Sequence, residues 1–173
     1  MRMIPAPTIW LMGLSGAGKT TLAEQLKEAL HQAYGIHAEI IDGDTVRSRD
    51  PSPLGYTREE RIKNIHRIIE LSRKLNSNNV PAIVASIHPY METRAHARAT
   101  IRNYFEIFLD CQLHECVKRD VKGLYSRAEQ GKARNVVGLD EPFEPPIDPD
   151  LVVDTAVLSE DVALRRILLF MTG

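Results

Sequence analysis

The stretch Gly13-Leu14-Ser15-Gly16-Ala17-Gly18-Lys19-Thr20 has the residue types and spacing of a loop that grips phosphate. Its glycines let backbone N–H groups turn inward around phosphate oxygens. The N-terminus of a following helix adds positive potential. In such a loop Lys19 bridges the β- and γ-phosphates of ATP, and Thr20 holds Mg²⁺. A glycine turn beside a surface lysine is the alternative, and the flanking residues disfavour it. An apolar run precedes the loop and an amphipathic pattern follows it. The loop alone does not separate a kinase from a GTPase or a motor. The sequence holds no Asn-Lys-x-Asp guanine-reading segment, and a small-molecule kinase fits the rest of the chain.

A second set of reactive residues follows. Asp42 and Asp44 flank Gly43 at the expected end of a strand, the edge where parallel α/β sheets bind ligands. One carboxylate suits orienting or deprotonating an attacking hydroxyl, and the other suits contacting magnesium through water. A plain Asp-Gly turn is the structural alternative. Arg47, Arg58, Arg61 and Arg67 cluster just beyond, and Arg61 shares a helix face with Asn64. Arginine captures phosphate or sulfate in bidentate fashion. Tyr56 and Phe143 sit in loops, where an aromatic ring either stacks on a base or covers its own loop.

The elements that must position these residues alternate strand and helix. Residues 8–12 and 37–41 read as strands, with a helix over 19–34 between them that carries Leu22, Leu26, Ala29 and Leu30 on one face and stops at Gly35. Residues 45–57, with Pro51, Pro53 and Gly55, read as a loop. Thr57 and Glu60 have the spacing of a capping box for a helix reaching about residue 76, with Ile62, Ile65, Ile69 and Leu75 as its stripe. Further strands are expected over 80–87, 104–109 and 151–153. Helices are expected over 91–103 and 113–121, and a last one after Ser159. Residues 122–150 carry Lys122, Arg127, Lys132 and Arg134, then Pro142, Pro145, Pro146 and Pro149, a basic, irregular segment of the kind used as a mobile lid. The expectation is one α/β domain, a three-layer sandwich around a parallel sheet.

Bulk properties narrow the partners. The chain has 173 residues, is 43% hydrophobic and 26% charged, and has a net charge of -1. That balance argues against a nucleic-acid surface but leaves room for a small anionic substrate held by local arginines. No apolar run approaches the ~20 residues that span a bilayer. The start of the chain, interrupted by Pro5 and Pro7, does not read as a secretory signal, and a cytoplasmic location is the default expectation. Cys111 and Cys116 lack metal or redox-pair spacing and read as free thiols.

Taken in order, these segments resemble the adenylyl-sulfate kinase family over nearly the whole chain. The resemblance rests on Gly-Leu-Ser-Gly-Ala-Gly-Lys-Thr-Thr at 13–21, Asp-Gly-Asp at 42–44 with Arg47, and Leu-Gly-Tyr at 54–56. It continues through Arg61, Asn64 and Arg67, Pro89-Tyr90, Arg119-Asp120-Val121-Lys122-Gly123-Leu124-Tyr125, and Glu141-Pro142-Phe143-Glu144-Pro145-Pro146. It implies transfer of the γ-phosphoryl group of ATP to the 3′-hydroxyl of adenosine 5′-phosphosulfate (APS), with Mg²⁺, in a homodimer. The implied ATP set is Gly13 to Thr21 with Arg119. The implied catalytic set is Lys19, Asp42 and Asp44, with Thr20 and Asp44 nearest the metal. Substrate contacts carry over to Asp42, Arg47, Arg61, Asn64, Ile87, His88, Lys122 and Leu124, and Tyr56 and Phe143 match the rings that stack on the adenine. The chain departs from the family pattern at Thr45, at residues 47–53 (Arg-Ser-Arg-Asp-Pro-Ser-Pro), at His88, where a serine is usual, and at Met91. These departures lie on the acceptor side, so a related 5′-modified nucleotide such as cytidine diphosphoramidate is the alternative acceptor. A nucleotide-binding subunit without catalysis is a further alternative.

Overall fold

The computed structural model describes residues 6–49 and 52–173. Pro5 of the N-terminal reading and the Asp50-Pro51 step of the expected loop lie outside them. Five strands form one sheet: β1 (Thr8–Met12), β2 (Glu39–Asp42), β3 (Ala82–Ala85), β4 (Tyr104–Asp110) and β5 (Leu151–Asp154). All pairs are parallel and the order is β2-β3-β1-β4-β5. The run that precedes the phosphate loop, β1, is buried at every position. Its side chains alternate between two cores. Ile9 and Leu11 join Leu22, Leu26 and Leu30 of α1 (Lys19–Tyr34) and Ile167 of α7 (Glu160–Thr172). Trp10 and Met12 join Ile65, Ile68 and Ile69 of α3 (Arg58–Ser77) and Ala97 of α4 (Met91–Thr100). The result is the expected three-layer α/β sandwich, and β1 lies between β3 and β4 at the point where the chain changes direction across the sheet.

Several local expectations hold for physical reasons. The Thr57 hydroxyl accepts from Glu60 N at 3.3 Å and the Glu60 carboxylate accepts from Thr57 N at 3.1 Å, closing the capping box at the head of α3. Gly35 ends α1 with φ 65°, its N–H donating to His31 O. Ser159 caps α7 by accepting from Val162 N. Within α3, Ile68 joins Ile65 and Ile69 in the buried stripe, while Ile62 and Leu75 are only half-buried.

Other expectations need correction. Residues 45–57 are not wholly a loop. A short helix, α2 (Gly43–Ser48), begins directly after β2, because the Asp42 carboxylate caps it by accepting from Asp44 N (3.0 Å) and Thr45 N (2.9 Å). The segment 122–150 is not uniformly irregular either. After α5 (Leu113–Arg119), α6 (Leu124–Glu129) forms because the Asp120 carboxylate accepts from Tyr125 N, Ser126 N and Ser126 Oγ. Strand β3 is shorter than the apolar run 80–87, β2 starts at Glu39 and α4 ends at Thr100. Among the described residues no helix is long and apolar enough to cross a membrane.

Gly13 joins β1 to the phosphate loop at φ 151°, and a Cβ there would lie 2.6 Å from Leu109 O of β4. Any side chain would therefore meet backbone as well as strain. Gly13→Ala is expected to lower unfolding stability by about 2–4 kcal/mol and to misplace the loop. Urea denaturation with and without ADP measures both effects.

Candidate active site

The C-terminal ends of β1, β2 and β3 open onto a cleft of about 470 Å³. The structure brings into its wall Ser15 to Thr21 from the loop and the start of α1, Asp42 and Asp44 from the β2–α2 junction, and Arg47 from α2. Arg61 and Asn64 of α3, Ile87 and His88 after β3, and Arg119 and Lys122 around the end of α5 complete the set. These residues were expected from sequence on two different grounds, phosphate gripping and acceptor binding, and one cavity gathers both groups.

Five expected site residues stand outside this wall. Gly13 and Leu14 shape the loop from behind. Leu124 packs on the core formed by α1 and α7. Phe143 stacks on Phe108 at 5.9 Å. The Tyr56 ring lies beneath two guanidinium groups, with Arg47 at 4.6 Å and Arg61 at 5.3 Å from its centroid. The two aromatic rings thus do not form a clamp in this state. Arg58 lies over the Tyr90 ring at 4.0 Å and pairs with Glu92 at 3.1 Å, outside the cleft wall. Arg67 lines a separate groove along β2 and α3.

Sequence reasoning missed Ser86, Thr155, Leu158 and Glu160, which also line the cleft. Ser86 and Thr155 each directly follow a strand, and that position at the C-terminal edge of the sheet was the available signal.

The two carboxylates have different surroundings. Asp42 lines the cleft, and its Oδ1 is engaged by the backbone at the head of α2, which fixes the carboxylate and leaves Oδ2 outside those two bonds. Asp44 Oδ2 accepts from Lys122 Nζ at 2.6 Å. Burial works to raise the Asp44 carboxyl. The Lys122 hydrogen bond and the charges of Lys122, Lys19 and Arg47 outweigh it and hold the group below the usual carboxylate range. Both partners are more than half exposed, so the bridge contributes at most about 1 kcal/mol and yields to a stronger ligand.

Lys19 Nζ donates to Leu14 O at 2.6 Å. Burial, then the nearby Lys122 charge, lowers its pKa to about 8. A phosphate beside Lys19 favours the ammonium form, so its pKa rises on binding. At pH 8 about half of the free protein carries neutral Lys19 and takes up a proton. ADP binding is therefore expected to consume about 0.5 proton at pH 8 through Lys19 and close to none at pH 6.5. Calorimetry in buffers of different ionisation enthalpy measures this.

Asn64 is buried, its amide donates to Gly43 O at 3.0 Å, and its Oδ1 has no partner among the described residues. An unpaired buried acceptor at a cavity wall is expensive unless a ligand satisfies it. His88 is fully buried at φ 52°, with its ring stacked on Trp10 at 4.1 Å and its carbonyl accepting from Arg94. Burial, then the Arg94 charge, lowers its pKa to about 3, so the imidazole is neutral at physiological pH.

The second half of the 122–150 segment is fastened to the body. Arg61 donates to Asn135 O at 2.6 Å, the Tyr90 hydroxyl donates to Glu141 at 2.6 Å, and Arg94 donates to Glu144 O at 2.7 Å.

The cleft also offers oxygen donors for a hard cation. The Thr20 hydroxyl and the Asp42 and Asp44 carboxylates share its wall, and Asp44 already attracts a cationic side chain. Among the described residues no group of three His, Cys, Asp or Glu side chains converges to hold a metal by itself. A site with few protein oxygens suits Mg²⁺, which keeps waters and takes ligands from substrate phosphates.

Comparison with known proteins identifies the family. The model of the adenylylsulphate kinase family matches residues 5–154. A probable adenylyl-sulfate kinase of Pseudomonas aeruginosa is 44% identical over 164 residues, covering 95% of this chain and 76% of the relative. An adenylyl-sulfate kinase of Rippkaea orientalis is 43% identical over 157 residues, covering 90% and 86% respectively. Among solved structures, the APS kinase of Mycobacterium tuberculosis in complex with AMPPNP and APS superimposes with a TM-score of 0.92 at 32% identity, covering 98% of this chain and 99% of that one. On the family match and these relatives, the chain belongs to the adenylylsulphate kinase family.

Proposed function

We propose that the protein transfers the γ-phosphoryl group of ATP to the 3′-hydroxyl of APS, giving 3′-phosphoadenosine 5′-phosphosulfate and ADP. One observation carries the reading. A single cleft joins the phosphate loop to Asp42, Arg47, Arg61 and Asn64, in a chain that superimposes almost end to end on a kinase solved with an ATP analogue and APS.

The geometry supports the following roles. Lys19 and the N–H groups of the loop hold the donor phosphates and stabilise charge on the group in transfer. Asp42, fixed by its own helix cap, presents Oδ2 to the acceptor hydroxyl, orients it for in-line attack and takes its proton. Arg47 and Arg61 supply positive charge for the anionic tail, and Asn64 Oδ1 supplies an unpaired acceptor for the nucleoside. Thr20 and Asp44 would hold Mg²⁺, which neutralises phosphate charge when bound. Lys122 would then leave Asp44 for a phosphate or sulfate oxygen. The fastening at Asn135, Glu141 and Glu144 narrows the moving part of the lid to about 122–134. A cytoplasmic homodimer completes the reading, and sedimentation decides its assembly.

The departures at residues 45–53 keep a second acceptor in the test. Side-by-side kcat/KM values for APS and cytidine diphosphoramidate decide the matter. The reading expects a large preference for APS, and turnover confined to the cytidine compound would overturn it.

A further inference from the structure

The carbonyls of four consecutive loop residues are each held by a side chain from a different place in the fold. Leu14 O accepts from Lys19 Nζ at 2.6 Å and Ser15 O accepts from the Tyr125 hydroxyl at 2.8 Å. Gly16 O accepts from Arg119 Nη1 at 3.2 Å and Ala17 O accepts from the Thr155 hydroxyl at 3.0 Å. In a planar trans peptide the carbonyl of one residue and the N–H of the next point in opposite directions. Holding Ser15 O therefore aims the Gly16 N–H, and holding Ala17 O aims the Gly18 N–H, away from the bolts and toward the phosphate side.

The four bolts are not equivalent. Lys19 must leave Leu14 O to reach a phosphate, and Arg119 is exposed. Tyr125 and Thr155 are neutral and buried, at 3% and 8% exposure. The Thr155 hydroxyl has a second acceptor, Asp110 O, at the longer distance of 3.4 Å. The loop also packs closely on α5, where a Cβ at Gly16 would lie 3.0 Å from Cys116 O.

We propose that Tyr125 and Thr155 are positioning residues for the donor site, their hydroxyls presetting the loop N–H groups that receive the donor's phosphates. Tyr125 also ties α6, at the root of the lid, directly to the loop. The proposal rests on the reading of the loop as the ATP site. It requires that the hydroxyls, and not merely the volumes, of these side chains matter to nucleotide binding.

Calorimetric titration of Mg²⁺-ADP into wild type, Tyr125→Phe, Thr155→Val and Thr155→Ser tests it, alongside KM for ATP and for APS and thermal melting. Loss of either hydroxyl is expected to weaken ADP binding about 3- to 10-fold and raise KM for ATP in step. KM for APS should stay within about twofold, and Thr155→Ser should bind as wild type does. A purely structural role would lower the melting temperature and leave ADP affinity and both KM values unchanged, which would overturn the proposal alone. Should Tyr125→Phe not fold, the Val and Ser replacements at Thr155 carry the same comparison. Wild type that does not bind ADP would overturn the donor-site reading and the proposal with it.

Discussion

Replacing Lys19 with Met is expected to lower kcat by about 10²- to 10³-fold while the protein remains folded. Methionine keeps most of the stem and removes the ammonium, with its charge and its hydrogen-bond donors. In the free protein the ammonium is satisfied by the Leu14 carbonyl, and burial has already depressed its pKa to about 8. It is therefore poorly solvated before nucleotide arrives, which makes its interaction with a phosphate strong. The charge that develops during transfer spreads over the phosphoryl oxygens, so the loss falls on kcat more than on KM. Steady-state kinetics with a thermal melt as control measures it. A loss below tenfold would mean that Lys19 is not at the reacting phosphate.

Asp42→Asn is expected to lower kcat by about 10²- to 10⁴-fold with little change in either KM. The substitution separates chemistry from architecture. Asparagine caps a helix as well as aspartate does, so its side-chain oxygen can go on accepting from Asp44 N and Thr45 N and α2 keeps its start. What disappears is the negative charge on the oxygen proposed to face the acceptor hydroxyl. Asp44→Asn makes the contrast. It removes the partner of Lys122 and one oxygen proposed for the metal, so it should raise the Mg²⁺ concentration needed for half-maximal rate. Equal effects of the two substitutions on kcat and on the Mg²⁺ requirement would contradict the division of labour between them.

The sheet and the phosphate loop were legible in the sequence because their signals are local and strict. Residues 9–12 are apolar without interruption, and the structure buries them together with Thr8. The Thr57–Glu60 spacing fixed the start of α3 for the same reason. The two short helices were hidden. Each has six residues, too few to show a period, and each has N–H groups of its first turn held by a carboxylate, Asp42 for α2 and Asp120 for α6. Asp42 carries a signal that reads as chemistry or as an Asp-Gly turn, and the structure gives it a helix-capping role.

The aromatic pair shows the other limit. A ring in a loop carries no mark of what it will touch. Tyr56 is held beneath Arg47 and Arg61, and Phe143 lies against Phe108, contacts that only the tertiary fold creates. The same holds for the bolts on the loop carbonyls. Tyr125 and Ser15 are 110 residues apart and Thr155 and Ala17 are 138 apart, so no spacing rule reaches them. Residues that act by their own type at a fixed spacing were visible, and residues that act by holding distant backbone were not.

The most direct test of the central claim follows the phosphate itself. Purified protein is incubated with Mg²⁺, APS and ATP labelled in the γ-phosphate, and the products are separated and assigned by phosphorus NMR. The expected result is one labelled phosphate on the 3′-oxygen of APS for each ADP released, with transfer lost in Asp42→Asn. ADP release with no label on APS, or label on another nucleotide only, would contradict it.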